Sequence, residues 1–192
     1  MRVFFMRHGE GVDDVEDRYG GWGDLPLSKK GKEQVKDSVE KVKRTNVDKI
    51  LSSPLKRAME TADIIAKSCR PNVEKWLYLK ERNTYGLMCG EVKGEMKDKY
   101  PELYNAYEND EFVLGSERYE DLVKRLNVMV EKIQNFEAKR ILAVTHGKFL
   151  AAFCKEFLGK ELDKKEDCCL LEVEIKGKDV KFISAQGLSF KK

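Results

Sequence analysis

Apolar side chains occur along this chain in two patterns, short continuous runs and stripes at helical spacing. A short continuous run bounded by polar residues is typical of a strand that is buried on both faces of a sheet. The runs predict strands at 3–6, 49–51, 76–79, 140–144, 170–175 and 180–183. The last two are separated by Gly177 and Lys178, a pair that favours a hairpin turn.

Helical spacing is clearest in the second half of the chain. Apolar positions there recur at steps of three or four residues and form one helix face: Tyr119, Leu122, Leu126, Met129 and Ile133. Ser28 is predicted to cap a helix that ends near residue 44, and Ser53-Pro54 a helix that ends near residue 67. Further helices are predicted at 95–107, broken by Pro101, and at 149–158.

Strands that alternate with helices predict an α/β protein. We expect a three-layer sandwich, with a mostly parallel central sheet and helices on both faces. A chain of 192 residues is long enough for one well-buried domain and short for two. The whole chain, 1–192, is therefore expected to form a single domain, with the irregular segment 86–115 as a small cap over the sheet.

Composition narrows the classes of partner and compartment. Charged residues make up 37% of the chain, well above the roughly 25% of ordinary domains, and the excess of Lys is thermophile-like. The net charge is only +3 and the signs are interspersed, so a nucleic-acid partner is not expected. Apolar runs are too short for a membrane span, and five Cys without disulfide or metal spacing favour a reducing, cytoplasmic location.

The chain contains two histidines, and both have the same local context. His8 follows the first predicted strand and precedes Gly9, while His146 follows the strand at 140–144 and precedes Gly147. Ligands of open α/β sheets bind beyond the carboxyl ends of the strands. We therefore expect both imidazoles at one functional edge, where the glycines allow a ligand close to the backbone.

Arginine accompanies the histidines. Arg7 precedes His8, and Arg57 lies in the first turn of a predicted helix, whose free N–H groups also attract anions. Planar guanidinium groups match the oxygens of a phosphoryl group. A zinc site would need further ligands at suitable spacing, and the sequence supplies none. Histidine with arginine predicts phosphoryl chemistry without a metal.

Three segments of the chain resemble the signatures of the histidine phosphatase superfamily, also called phosphoglycerate-mutase-like. They read Arg7-His8-Gly9-Glu10 with the following Arg18 to Gly31, Ser52 to Ala62 around Arg57, and Thr145-His146-Gly147. The segments occur in the order of the family and together are far more specific than any one of them. The resemblance implies the α/β fold and an activity that passes through a phosphorylated histidine.

The resemblance also implies a role for each matching residue. His8 would be the nucleophile that becomes phosphorylated. Arg7, Arg57 and His146 would hold the phosphoryl oxygens, and Glu81 would give a proton to the leaving group. Cations that stabilise the spread negative charge of a transferring phosphoryl group make a metal unnecessary.

Substrate contacts are implied for a further set of residues: Gly20, Gly21, Arg82, Tyr85, Gly147 and Asp14. Asp14 departs from the family pattern, which usually has Asn six residues after the nucleophile. An ionised carboxylate would repel a phosphate dianion. Either Asp14 is protonated when substrate binds and favours activity at mildly acidic pH, or it faces solvent and another group donates.

The sequence supports more than one reaction. The first is hydrolysis of a small phosphorylated metabolite by a compact phosphatase without a cofactor, acting as a monomer or homodimer. The second is a phosphoglycerate mutase, which would use 2,3-bisphosphoglycerate. Glu81-Arg82, Tyr85 and Lys93 resemble the mutase substrate segment, but the chain has no Arg-Arg pair to clamp a substrate carboxylate. A third hypothesis is a non-catalytic domain that binds a phosphorylated ligand.

Overall fold

One mixed sheet runs through the computed structural model, which describes residues 1–69 and 71–191. Its strands are β1 (Arg2–Arg7), β2 (Lys49–Ser52), β3 (Val73–Lys75), β4 (Arg140–Thr145), β5 (Leu162–Lys176) and β6 (Asp179–Phe190). They lie in the order β3-β2-β4-β1-β5-β6. The first four of that order are parallel, while β5 and β6 are antiparallel to their neighbours, so the mostly parallel sheet is confirmed.

Alternate residues of β1 enter two separate cores. Val3 and Phe5 pack into the core on one face of the sheet, and Phe4 and Met6 into the core on the other. Successive side chains of a strand point to opposite faces, so a strand covered on both sides reads as a continuous apolar run. Arg7, the polar residue that follows this run, is the last residue of β1 and lies at the carboxyl end of the strand.

Helices cover both faces of the sheet, as the sequence predicted. They are α1 (Val12–Val15), α2 (Lys29–Lys43), α3 (Lys56–Cys69), α4 (Met96–Lys99), α5 (Pro101–Glu108), α6 (Tyr119–Ile133) and α7 (Gly147–Leu158). Apolar residues of α6 and α7 form one core with the sheet, and those of α2 and α3 form the other. The three-layer α/β architecture is confirmed.

The caps of two helices were predicted with different success. Ser28 caps α2 as expected, because its hydroxyl accepts the N–H of Gly31 at 2.9 Å. The other helix begins at Lys56 rather than at Ser53-Pro54. The hydroxyl of Ser53 lies 2.7 Å from His146 Nε2, so this serine contacts the site instead of opening a helix.

The apolar run at 76–79 was wrongly predicted to be a strand. The strand is β3, just before it, and Leu77–Leu79 forms a 3-10 turn. Leu79 is fully buried whereas Leu77 is 69% exposed, so the run does not line one face of a strand. Arg125 of α6 fixes the turn by donating to the carbonyls of Tyr78 and Lys80 at 2.9 and 2.8 Å.

Residues 86–115 contain two 3-10 turns and the short helices α4 and α5. Met88, Met96 and Val113 share a small buried cluster with Tyr19, which belongs to the loop after β1. Asn83 ties the start and end of the segment together, since its amide donates to Gly115 O at 3.0 Å. The cluster and this bond pack the segment against the residues that follow β1.

The C-terminal hairpin is longer than predicted. It was expected at 170–175 and 180–183, but β5 and β6 extend well beyond both limits. The extension at 163–166 reads Asp-Lys-Lys-Glu and is exposed, so it carries no apolar signal. Among the described residues, none of the helices is both long and apolar enough to cross a membrane.

Arg125 provides a test of how the turn before Glu81 is held. Its guanidinium also makes a two-pronged contact with Glu117, at 2.9 Å for each pair of atoms, and both side chains are largely buried. Arg125→Ala leaves the carboxylate and the turn carbonyls unpaired, so chemical denaturation should show a loss of about 3 kcal/mol in unfolding free energy. The exposed neighbour Lys124→Ala should lose less than about 0.5 kcal/mol. Equal losses would contradict this account of the turn.

Candidate active site

The two histidines meet at the carboxyl edge of the sheet. His8 follows β1 and His146 follows β4, and these strands are adjacent and parallel. The ring centroids lie 4.9 Å apart in an edge-to-face arrangement, and both side chains are buried. Arg57 comes from the first turn of α3, which follows β2 on the other side of β4. Adjacent parallel strands thus bring together residues that are far apart in the sequence.

His8 has one ring nitrogen committed and one available. Its Nδ1 lies 2.6 Å from the carbonyl oxygen of Gly9, which can only accept, so Nδ1 carries the proton. Nε2 is left with its lone pair, toward which Arg57 Nε donates at 3.2 Å. Burial, reinforced by Arg57 and Arg7, holds the pKa of His8 well below its usual value. The imidazole is therefore neutral at neutral pH.

Arg57 is a buried cation fixed by backbone carbonyls. One terminal nitrogen donates to Gly23 O and the other to Gly21 O, each at 2.8 Å, while Nε faces His8. Gly21 has φ +52°, and a Cβ there would lie 2.8 Å from Cys89 Sγ. Only glycine fits this position without strain, and its carbonyl helps to orient the guanidinium.

His146 has a partner on one side of its ring. Nε2 lies 2.7 Å from Ser53 Oγ, while Nδ1 is buried and has no partner among the described residues. Burial, followed by the charge of Arg57, holds its pKa well below the usual value. Sequence reasoning missed Ser53 because Ser-Pro reads more simply as a helix cap.

Glu81 lies at the N-terminus of α7. One carboxylate oxygen accepts the N–H groups of Arg82 and Phe149, each at 2.8 Å, and the other accepts the N–H of Lys148 at 3.1 Å. These donors and the helix dipole stabilise a negative charge. Glu81 is 8% exposed, and that small surface faces the same cavity as His8.

Arg7 is the last residue of β1 and lines the same cavity as Arg57. Its terminal nitrogen NH1 lies 3.1 Å from both Lys165 O and Asp167 Oδ1. Both acceptors belong to β5. Its Nε is buried and has no partner among the described residues. One part of the guanidinium is thus anchored, and another donor has no partner among the described residues.

His8, Arg57, Glu81 and Arg7 line a cavity of about 220 Å³, whereas His146 is fully buried behind its lining residues. Its lining contains six cationic side chains, from Arg7, Arg18, Arg57, Lys93, Lys148 and Lys165. It contains three acidic ones, from Asp13, Asp14 and Glu81. The excess of positive charge suits an anion of several charges.

The remaining predicted contacts fall into two groups. Gly20, Gly21, Tyr85 and Gly147 line the cavity, as does the unpredicted Lys148. Arg82 does not line it: its guanidinium lies 5.1 Å from the ring of Tyr119 and borders two neighbouring cavities. The Glu-Arg dipeptide directs its two side chains to different places.

Lys148 is a cation that sequence reasoning missed. Its ammonium lies 4.1 Å from the centre of the Tyr85 ring and donates to Thr84 Oγ1. Burial lowers its pKa, and the charge of Glu81 acts in the opposite direction. Its place directly after Thr145-His146-Gly147 was the available signal, but one lysine among many exposed ones does not stand out.

The structure divides the aspartates of the first loop differently from the sequence interpretation. That loop contains the unpredicted helix α1, where Asp14 is exposed and accepts the N–H of Gly11 at 3.2 Å. Asp14 is nevertheless among the residues that line the cavity. Asp13 is the buried carboxyl, with 7% exposure.

Within the described residues, no group of three or more His, Cys, Asp or Glu side chains is arranged to hold a metal ion. The cysteines described there are free thiols: Cys69, Cys89, Cys154, Cys168 and Cys169.

Comparison with known proteins agrees with this geometry. Residues 3–185 match the profile of the histidine phosphatase superfamily (branch 1). The uncharacterized phosphatase PhoE of Bacillus subtilis is 32% identical over 177 residues, which cover 90% of this chain and 87% of PhoE. The probable phosphoglycerate mutase GpmB of Escherichia coli is 29% identical over 163 residues, covering 83% and 75%. The alpha-ribazole phosphatase of Shigella flexneri has the same fold, with a TM-score of 0.80, 21% identity and 95% of each chain covered.

The two neutral histidines predict how stability changes with pH. Below pH 6.5 the unfolded chain binds protons on His8 and His146 that the folded protein does not, because both pKa values are lowered on folding. Unfolding free energy should therefore decrease as pH falls from 6.5, by about 1.4 kcal/mol per pH unit for each histidine. Denaturation of wild type and His146→Gln between pH 7 and 5 measures this.

The variant isolates the contribution of one ring. In His146→Gln, the decrease of unfolding free energy with falling pH should be smaller by about 1.4 kcal/mol per pH unit. Asp13, whose pKa is raised, contributes a change of opposite sign, but it does so equally in both proteins. Identical slopes would mean that His146 is already protonated in the folded state.

Proposed function

The chain belongs to the histidine phosphatase superfamily, and we propose that it is a metal-independent phosphomonoesterase that works through a phosphohistidine at His8. The observation that carries this proposal is the state of the His8 ring. Its Nδ1 donates to Gly9 O, and its unprotonated Nε2 lies beside a buried guanidinium in a cationic cavity. A neutral, oriented nitrogen next to fixed positive charge is what attack on an anionic phosphoryl group requires.

The first step forms the bond between His8 Nε2 and phosphorus and breaks the bond between phosphorus and the leaving oxygen. Arg57 now donates toward the attacking nitrogen, and that donor passes to a phosphoryl oxygen when substrate binds. The free Nε of Arg7 and the unpartnered Nδ1 of His146 are the other candidate contacts for phosphoryl oxygens. Fixed donors of this kind stabilise the charge of the transition state without having to reorganise.

Glu81 provides the proton for the leaving group. The electron pair of the broken bond goes to the leaving oxygen, and a protonated Glu81 converts it to an alcohol. The resulting carboxylate is held by three backbone N–H groups. It then accepts a proton from the water that attacks the phosphohistidine, which releases phosphate and restores both residues.

We propose a small phosphorylated metabolite as substrate. A cavity of about 220 Å³ suits a phosphoryl group with a small alcohol portion. Phosphoglycerate mutase activity is the second candidate, favoured by Tyr85, Lys93 and Lys148 around the cavity and by the probable mutase among the relatives. The absence of an Arg-Arg pair in the sequence favours hydrolysis. Phosphate release from a panel of phosphorylated metabolites, measured beside isomerisation of 3-phosphoglycerate, separates the two.

Replacing the nucleophile should remove the activity. His8→Ala should lose essentially all turnover, and wild type quenched in alkali during turnover should carry phosphate on His8, because phosphohistidine survives base. Mass spectrometry of the peptide that contains residue 8 tests this directly. A variant that keeps a tenth of the wild-type rate, or phosphate found on another residue, would contradict the assignment.

The role of Glu81 can be tested with two leaving groups. The amide oxygen of Glu81→Gln can still accept the N–H groups of Arg82 and Phe149, but the side chain has no acidic proton. The variant should slow hydrolysis of alkyl phosphates by about 100-fold or more and that of nitrophenyl phosphate much less, since nitrophenolate needs little protonation. Equal loss on both substrates would mean that Glu81 is not the acid.

A further inference from the structure

Asp13 is a buried carboxyl in the cavity that holds His8 and Arg57, and one of its two oxygens has no hydrogen-bond partner among the described residues. Its side chain is 7% exposed, and Oδ1 is inaccessible and unpaired among the described residues. Buried polar atoms in proteins are nearly always hydrogen-bonded, so an unpaired oxygen beside a cavity can accept or share a proton with a bound ligand. The mechanism above makes no use of this carboxyl.

The space around Asp13 is made by two glycines. A Cβ on Gly11 would lie 2.1 Å from Oδ1, and a Cβ on Gly20 would lie 2.3 Å from Oδ2. The carboxyl is thus packed between two stretches of backbone and cannot turn out toward solvent without moving them. Its backbone is held as well, because Asp13 O accepts the N–H of Arg18 at 2.8 Å.

Arg57 does not hydrogen-bond to the carboxyl. All three kinds of nitrogen in the Arg57 guanidinium already donate, to His8 Nε2, Gly23 O and Gly21 O. Burial raises the pKa of Asp13 and the charge of Asp14 adds to it, while Arg57, the backbone N–H of Asp13 itself and Arg7 act against it. The other ionisable groups that line the cavity are His8, Arg18, Glu81, Tyr85, Lys93, Lys148 and Lys165.

We propose that Asp13 is a catalytic residue that binds the phosphoryl group in its protonated form. The carboxylic acid donates its proton in a hydrogen bond to a phosphoryl oxygen. The proposal rests on the phosphatase function above. An ionised Asp13 would repel a phosphate dianion. The protonated form instead gives the anion one more hydrogen-bond donor, and the buried carboxyl gains a partner. The donor that the family pattern suggested at Asp14 is thereby supplied by its buried neighbour.

This assignment predicts that the alkaline limb of the pH–rate profile is caused by deprotonation of Asp13. Above the pKa of Asp13 the wild-type kcat/KM should fall about tenfold per pH unit, as for loss of one essential proton. Asp13→Asn carries a donor that does not titrate, so the limb should disappear. One pH unit above the wild-type midpoint, the variant should exceed wild type by about tenfold. Asp13→Ser, a smaller non-titrating donor, is the second variant if the amide disturbs folding.

Sulfate binding tests the proton without catalysis. Sulfate remains a dianion throughout the range, so the pH dependence of its dissociation constant, measured by calorimetry, reflects protons on the protein. Wild type should bind sulfate about tenfold more weakly for each pH unit above the midpoint, and Asp13→Asn should not. Both proteins keep His8 and His146, so the difference between them isolates Asp13.

Two controls make the outcome specific. Asp37→Asn removes an exposed carboxylate on α2 and should keep the wild-type limb. Asp14→Asn should also keep a limb, since its carboxyl is exposed. A limb that survives in Asp13→Asn, or that is lost in Asp14→Asn instead, overturns the proposal. Absence of His8-dependent turnover would instead refute the phosphatase function, and the sulfate titration would still decide the role of Asp13.

Discussion

The contact between Arg57 and His8 is the interaction on which the rest of the site depends. A guanidinium and an imidazole lie 3.2 Å apart in a buried environment, so the imidazole must remain neutral. The arginine could not stay there without compensation, because a buried charge needs hydrogen-bond partners. The carbonyls of Gly21 and Gly23 supply them, and the loop after β1 must therefore fold back over the start of α3.

The remainder of the fold holds that loop and the opposite wall of the cavity in place. Trp22 donates to Glu81 O at 2.8 Å and so links the loop to the residues that follow the turn at Leu77–Leu79. Asn83 accepts the N–H groups of Tyr85 and Gly86, at 3.3 and 3.0 Å, while its amide reaches Gly115. The sheet supplies the two histidines, and these loop contacts connect the residues around Arg57 to those around Glu81.

Local signals in the sequence were enough for the central strands β1, β2 and β4 and for most helices. The apolar run at 3–6 and the apolar face of α6 indicate which side chains are buried, and each pattern can be recognised from adjacent residues of the sequence alone. Ser53 and Asp13 were missed for the opposite reason, because their environments are made by distant parts of the chain. A serine before proline caps a helix in most contexts, and here it contacts His146. The burial of Asp13 depends on Gly20, on the far side of the loop.

The cations around the cavity differ in how firmly each is held, and this orders their contributions. Arg18 and Lys93 form exposed pairs with Glu16 and Asp17, each at 2.6 Å, and such pairs contribute little and weaken in salt. Arg57 is bound by buried carbonyls and is screened far less. In the function we propose, the outer cations attract an anion over a distance, whereas orientation of the phosphoryl group at His8 depends on the buried arginine. Charge that is fixed before substrate arrives does not have to be reorganised during the reaction.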